Sequence, residues 1–137
     1  MSVEQAIHEH WSHWKPLTDL VPSARVWTAD VPEATAKPYV SLRTSDKQQV
    51  TRTSAGNIII NGVLMFQLVA GTLSEVKEIG AEILSHFNRA GFDWSRGKVL
   101  DMRPGPDNYE EAMDGEAGAV WLGTVDFDYR LLQNTGT

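Results

Sequence analysis

The sequence predicts an α+β fold: a mainly antiparallel sheet packed on helices, in one two-layer domain spanning residues 1–137. Three observations carry that expectation. Leu73, Val76, Ile79, Ile83 and Phe87 recur at the spacing that gathers apolar side chains on one face of a helix. Gly123, Val125, Phe127, Tyr129 and Leu131 alternate with Thr124, Asp126, Asp128 and Arg130, a period of two that buries one face of a strand and wets the other. The segments follow in the order helix, strands, helix, strands, with no internal repeat.

From the N-terminus, Ser2 is placed to cap a helix whose apolar stripe is Val3, Ile7, Trp11 and Trp14. Pro16 ends or kinks it. Leu17–Val21 reads as a short second turn stopped by Pro22, and Ala24–Thr28 as a short strand. After the loop DVPEATAK, Pro38 opens the strand PYVSLRT, whose weak alternation suits a sheet edge. The run SDKQQVTRTSAGN is polar and reads as a long mobile arm. Ile58–Ala70 is the most apolar stretch and rich in β-branched residues. Asn61-Gly62 within it marks a tight turn or a bulge.

The segment VLMFQLVAGTLSEVKE resembles a phosphate cradle at first sight, but it has one glycine, Gly71, and no lysine where a phosphate loop needs one. Thr72 and Glu75 instead match a capping box, in which Thr72 bonds the N–H three residues on and Glu75 reaches back to the cap N–H. The corner is therefore read as structural. It opens the helix Leu73–Asn88, for which Gly91 suits the C-terminal cap. KVLDMR is read as a strand, PGPDNYEEAMDGEAG as an acidic loop and AVWLGTVDFDYRLL as a long closing strand.

Composition narrows function. No cysteine is present, which excludes disulfides, thiolate zinc sites and cysteine nucleophiles. The longest apolar run, Val63–Gly71, is interrupted by Gln67 and far short of the about 20 residues a spanning helix needs; no secretion signal is visible, and a soluble protein is expected. A formal charge of −6 argues against wrapping a phosphate backbone, though not against letting DNA pass. In HEHWSHW, His10 and His13 share a helical face, but His8 points elsewhere and Ser12 stands where the zincin pattern needs its second histidine. Asp126 and Asp128 project on one face of a strand, where solvated carboxylates are the ordinary case. The acidic loop lacks the order of a calcium loop, and no serine sits in G-x-S-x-G. No catalytic residue, metal ligand or cofactor is expected. Trp11 and Trp14 offer a large aromatic area on a terminal helix and are read as interface residues. Arg43, Lys47 and Arg52 stand out as cations around the polar arm.

The order LTDLVPSARVW, PYVSL, a long polar loop, VLMFQLVAGTLSEVKEIGAEIL and VDFDYRL resembles the tail-completion, or tail-terminator, proteins of long-tailed bacteriophages and related prophage particles, over roughly Leu17–Leu131. The resemblance implies a non-enzymatic virion protein of the tail and neck, assembled in the host cytoplasm. It implies a homo-oligomeric ring, most often of six, that caps the tail tube and joins it to the head-completion or connector protein while DNA passes through its channel. Arg43, Lys47, Arg52, Trp11 and Trp14 are then candidate contacts to the next subunit or to the tube. The Trp- and His-rich first helix and the acidic loop depart from the family's usual look. Two other readings remain at this stage: another neck or tail protein, such as a connector or tube subunit, and a small-ligand-binding α+β domain with a cavity between sheet and helix.

Overall fold

Residues 2–32, 35–45, 48–113 and 119–134 are described by the computed structural model. The chain runs α1 (Ser2–Ser12), α2 (Lys15–Leu20), a 3-10 turn (Ser23–Arg25), β1 (Val26–Thr28), β2 (Tyr39–Thr44), β3 (Gln49–Arg52), β4 (Ile58–Ala70), α3 (Leu73–Phe87), β5 (Phe92–Trp94), β6 (Gly97–Met113) and β7 (Ala119–Gln133). The fold is α+β and mainly antiparallel. The strands form one sheet in the order β1-β2-β4-β7-β6-β5, with β3 also paired to β4; β1 and β2 are the parallel pair.

The centre of the sheet is β4 against β7, in unbroken register from Ile58↔Gln133 to Ala70↔Trp121. Asn61-Gly62 therefore makes neither a turn nor a bulge. The glycine serves a close approach: a Cβ on Gly62 would lie 2.8 Å from the phenolic oxygen of Tyr129, its partner on β7. On β7, Val125, Phe127, Tyr129 and Leu131 are buried, as the alternation predicts, and Asp128 and Arg130 are exposed.

The side chain of Thr72 accepts the Glu75 N–H at 3.1 Å, the first half of the predicted capping box. The return arm differs, since Glu75 Oε1 accepts from the Gly71 N–H at 3.4 Å rather than from the cap residue itself. Val76, Ile79, Ile83 and Phe87 of α3 are fully buried against β4, β6 and β7. The helix stops earlier than expected, and the left-handed residue after it is Arg89 (φ 56°), not Gly91. The Arg89 N–H bonds the Met102 carbonyl at 2.7 Å, so sheet contact ends the helix without a glycine.

One further expectation is extended and two are corrected. Pro16 opens α2 at its first turn, where a missing N–H costs nothing, as well as closing α1. Within the predicted arm at 45–57, Gln49–Arg52 is a hairpin limb that pairs with Asn61–Ile58, and the chain turns back at Thr53–Asn57 with a 2.9 Å backbone bond between those two residues. Gln48 donates to the Tyr129 hydroxyl at 2.9 Å and anchors that limb to β7. Much of the predicted acidic loop is strand, because β6 continues through Pro104, Gly105 and Pro106 to Met113, with register shifts at Val99/Asp101 and Pro104/Asp107. An outer strand tolerates proline because its second edge has no ladder bond to lose. The remainder of that loop lies outside the described residues, as does the capping side chain expected of Ser2.

Helices α1 and α3 cover one face of the sheet. The fully buried Trp11, Phe66, Phe87 and Phe127 fill the space between the layers, with Phe66 edge-on to Phe127 at 5.6 Å between ring centres. None of the described helices is long and apolar enough to cross a membrane.

Candidate assembly interface

Sheet register assigns Arg43 and Arg52 each to a surface. Arg43 on β2 pairs with Met65 and so belongs to the sheet face opposite the helices. It is exposed, and its Nε donates to Gln67 Oε1 at 2.8 Å. Arg52 pairs with Ile58, seven residues away along β4 and on the other face. At about 3.3 Å per residue the two arginines are roughly 23 Å apart along the strand. They do not form one basic patch. Lys47 lies outside the described residues.

β3 is exposed at every position, and Val50 beside Arg52 is 58% exposed. An edge strand with an apolar side chain and a cation is a surface that can meet another chain. The two tryptophans part company. Trp11 is fully buried and donates from its indole to the Val21 carbonyl at 2.8 Å, so it belongs to the core and is corrected as an interface residue. Trp14, 39% exposed, precedes α2, stacks on His86 at 4.3 Å and donates to Glu82 at 3.3 Å. The stripe read from Val3 to Trp14 assumed one helix. The chain leaves that helix after Ser12, which turns Trp14 outward.

The open face of the sheet is charged but balanced through its middle. Three rows cross it: Asn61, Arg130 and Asp101; Val63, Asp128 and Arg103; and Arg43, Met65 and Asp126. Each of the first two sets an arginine opposite an aspartate in register. Asp101 also receives Arg103 Nε at 3.2 Å and Arg89 at 3.4 Å. A shallow polar groove of about 430 Å³ runs over these rows, lined by Gln49, Asn61, Val63, Arg103, Asp128 and Arg130. Burial, and then the charge of Asp128, push the Asp126 carboxyl above its ordinary value, and its Oδ1 is buried without a hydrogen-bond partner. Among the described residues, no three His, Asp or Glu side chains come together in a metal-binding group.

The acidic surplus sits elsewhere. Asp107, Glu110 and Glu111 on the second half of β6 and Glu78 on α3 are exposed, with Glu75 half-buried beside them. Sequence reading missed the pairing of His10 with His86, whose Nε2 atoms are 2.7 Å apart, because 76 positions separate them.

No family model matches the sequence, and no curated protein matches it. The fold itself has a solved counterpart. A chain in the structure described as "Virion of native gene transfer agent (GTA) particle" superposes with a TM-score of 0.66, covering 95% of this chain and 94% of that one at 17% identity. At that identity the likeness is one of fold, and it extends over nearly the whole of both chains.

Proposed function

We propose that this chain is a structural protein of a phage-like virion, a tail terminator that assembles as a ring of six copies, caps the tail tube and joins it to the head-completion or connector protein. The observation that carries the proposal is the near full-length fold match to a virion chain, joined to the sequence resemblance to tail-terminator proteins. The chain acts by assembly and performs no reaction. It is one folding unit, built in the host cytoplasm and carried in the particle.

Within this reading, β3 with Val50 and Arg52, the adjoining Lys47, and Trp14 are contact positions toward the next subunit or the tube. Arg43 belongs to the open face. Its three arginines and three aspartates through the middle rows support a channel wall that neither grips nor strongly repels a phosphate backbone, along which DNA passes without specific binding.

The test is genetic and morphological. Deleting the coding sequence from a genome that carries it should leave heads and tails unjoined and tail lengths no longer uniform, with both defects restored by the gene in trans. Joined particles with uniform tails in the deletion strain would refute the role.

A further inference from the structure

We propose that His10 and His86 form an acid-opened latch that ties the N-terminal helix to α3. The two Nε2 atoms are 2.7 Å apart, the ring planes lie within 18° and the ring centres are 4.9 Å apart. Centres so much farther apart than the nitrogens mean that the rings meet tip to tip. Such a contact needs a proton on one Nε2 and a lone pair on the other.

The pair is held on every side. Phe92 of β5 stacks on His10 at 4.1 Å, Trp14 stacks on His86 at 4.3 Å, and Phe87 stands edge-on to His86 at 4.9 Å. Trp14 is tied in turn to Glu82 of α3. One cluster therefore joins the end of α1, the start of α2, α3 and β5.

Proton counting sets the behaviour. A neutral pair satisfies the contact with complementary tautomers. One added proton goes to an outward-facing Nδ1 and leaves the bond intact and charge-assisted. A second puts hydrogen on both facing nitrogens and two like charges in one partly buried site, so the bond is lost. The charged groups bearing on the pair are His13 at the end of α1, which opposes protonation of His10, and Glu82 on α3, which favours it at His86. Glu9 on α1 is committed to Ser95, and Lys15 of α2 is paired with Asp19 at 3.0 Å. β5 meets the cluster with apolar Phe92, next to exposed Asp93.

Burial holds both rings below the ordinary histidine value. The open form thus binds protons that the latched form refuses. As pH falls below about 6.5 the latch weakens, by up to about tenfold per pH unit as the second proton is refused, until the lowered values are reached. Above that window it is fully in place. This inference is independent of the assembly reading.

Two measurements on the full chain test it. In side-chain nitrogen NMR at about pH 7.5, the two rings should appear as opposite tautomers, and they should titrate below the ordinary histidine value of about 6.5. The same tautomer for both, or titration at the ordinary value, would overturn the latch. In hydrogen exchange corrected for intrinsic rates, protection of α1 relative to α3 should fall by up to about tenfold between about pH 7.5 and about pH 5.5. His86→Phe keeps the aromatic stack on Trp14 but cannot take a proton, and should lessen that pH dependence to what the burial of His10 alone contributes. An equal acid-induced loss in wild type and His86→Phe, or no loss in wild type, would overturn it.

Discussion

Gly62 on β4 and Tyr129 on β7 stand directly opposite each other, and the ring of Tyr129 occupies the space that a side chain at position 62 would need. The ring is fixed from its other end, since its hydroxyl accepts a hydrogen bond from Gln48 at the root of β3. Gly62→Ala should therefore cost about 1–3 kcal/mol, the usual penalty for overpacking, in chemical denaturation. In a Tyr129→Val background the cost of Gly62→Ala should largely disappear. Simple additivity of the two changes would show that the ring is not what excludes the methyl group.

Ile83 is fully buried beneath α3 among side chains of the sheet. Ile83→Ala should destabilise the chain by about 2–5 kcal/mol, as large-to-small core substitutions do. Equilibrium urea unfolding checks this, and a shift within experimental error would mean that α3 does not pack on the sheet.

The two tryptophans of the N-terminal region should separate by mutation. Trp11→Ala removes a fully buried ring and leaves the Val21 carbonyl without its donor, at a cost of about 3–5 kcal/mol. Trp14→Ala gives up an aromatic contact of about 0.5–1.5 kcal/mol and a surface hydrogen bond. Comparable losses at both positions in thermal unfolding would contradict the assignment of one to the core and one to the surface.

Glu9 accepts from the Ser95 hydroxyl at 2.6 Å, from the Ser95 N–H at 2.9 Å and from Gln5 at 3.0 Å. The Ser95 hydroxyl is the main reason its carboxyl lies below the ordinary value; burial, the next largest influence, works against it, and the Ser95 N–H and Gln5 add to the lowering. A lowered carboxyl stabilises the fold above the unfolded value, near about 4.3, and that contribution is lost as pH falls through the folded value. Ser95→Ala should thus lower stability at neutral pH by under about 1 kcal/mol, because solvent screens this site. Wild type and variant should converge once pH falls below the folded value of the carboxyl. A gap that stays constant from neutral to acid pH would assign the effect to something other than the carboxylate.

The fold was legible where local chemistry and periodicity agreed. Thr72, Glu75 and the apolar face from Val76 to Phe87 mark α3 without reference to any distant residue, and the alternation from Gly123 to Leu131 marks β7. β6 was missed beyond Arg103 because prolines and a run of acids ordinarily mean a loop; an outer strand with a register shift accepts both. β3 was missed because all four residues are exposed, which erases the alternation that identifies a half-buried strand. The candidate surfaces were less legible still. Arg43 and Arg52 look like members of one basic arm in sequence, and register against β4 sends them to opposite faces. The His10–His86 contact is wholly tertiary.

We propose above that this chain caps a tube as a closed ring. The most direct measurement of this is electron microscopy of purified, gold-labelled protein mixed with uncapped tail tubes, with native mass spectrometry of the same sample. Label should be confined to one end of each tube, and a species with the mass of six chains should be present. Arg52→Glu and Val50→Asp should weaken ring formation while shifting thermal stability by under about 0.5 kcal/mol, as expected for exposed positions. Label scattered along the tubes or absent from them, with only single chains in the mass spectrum, would contradict the proposed role.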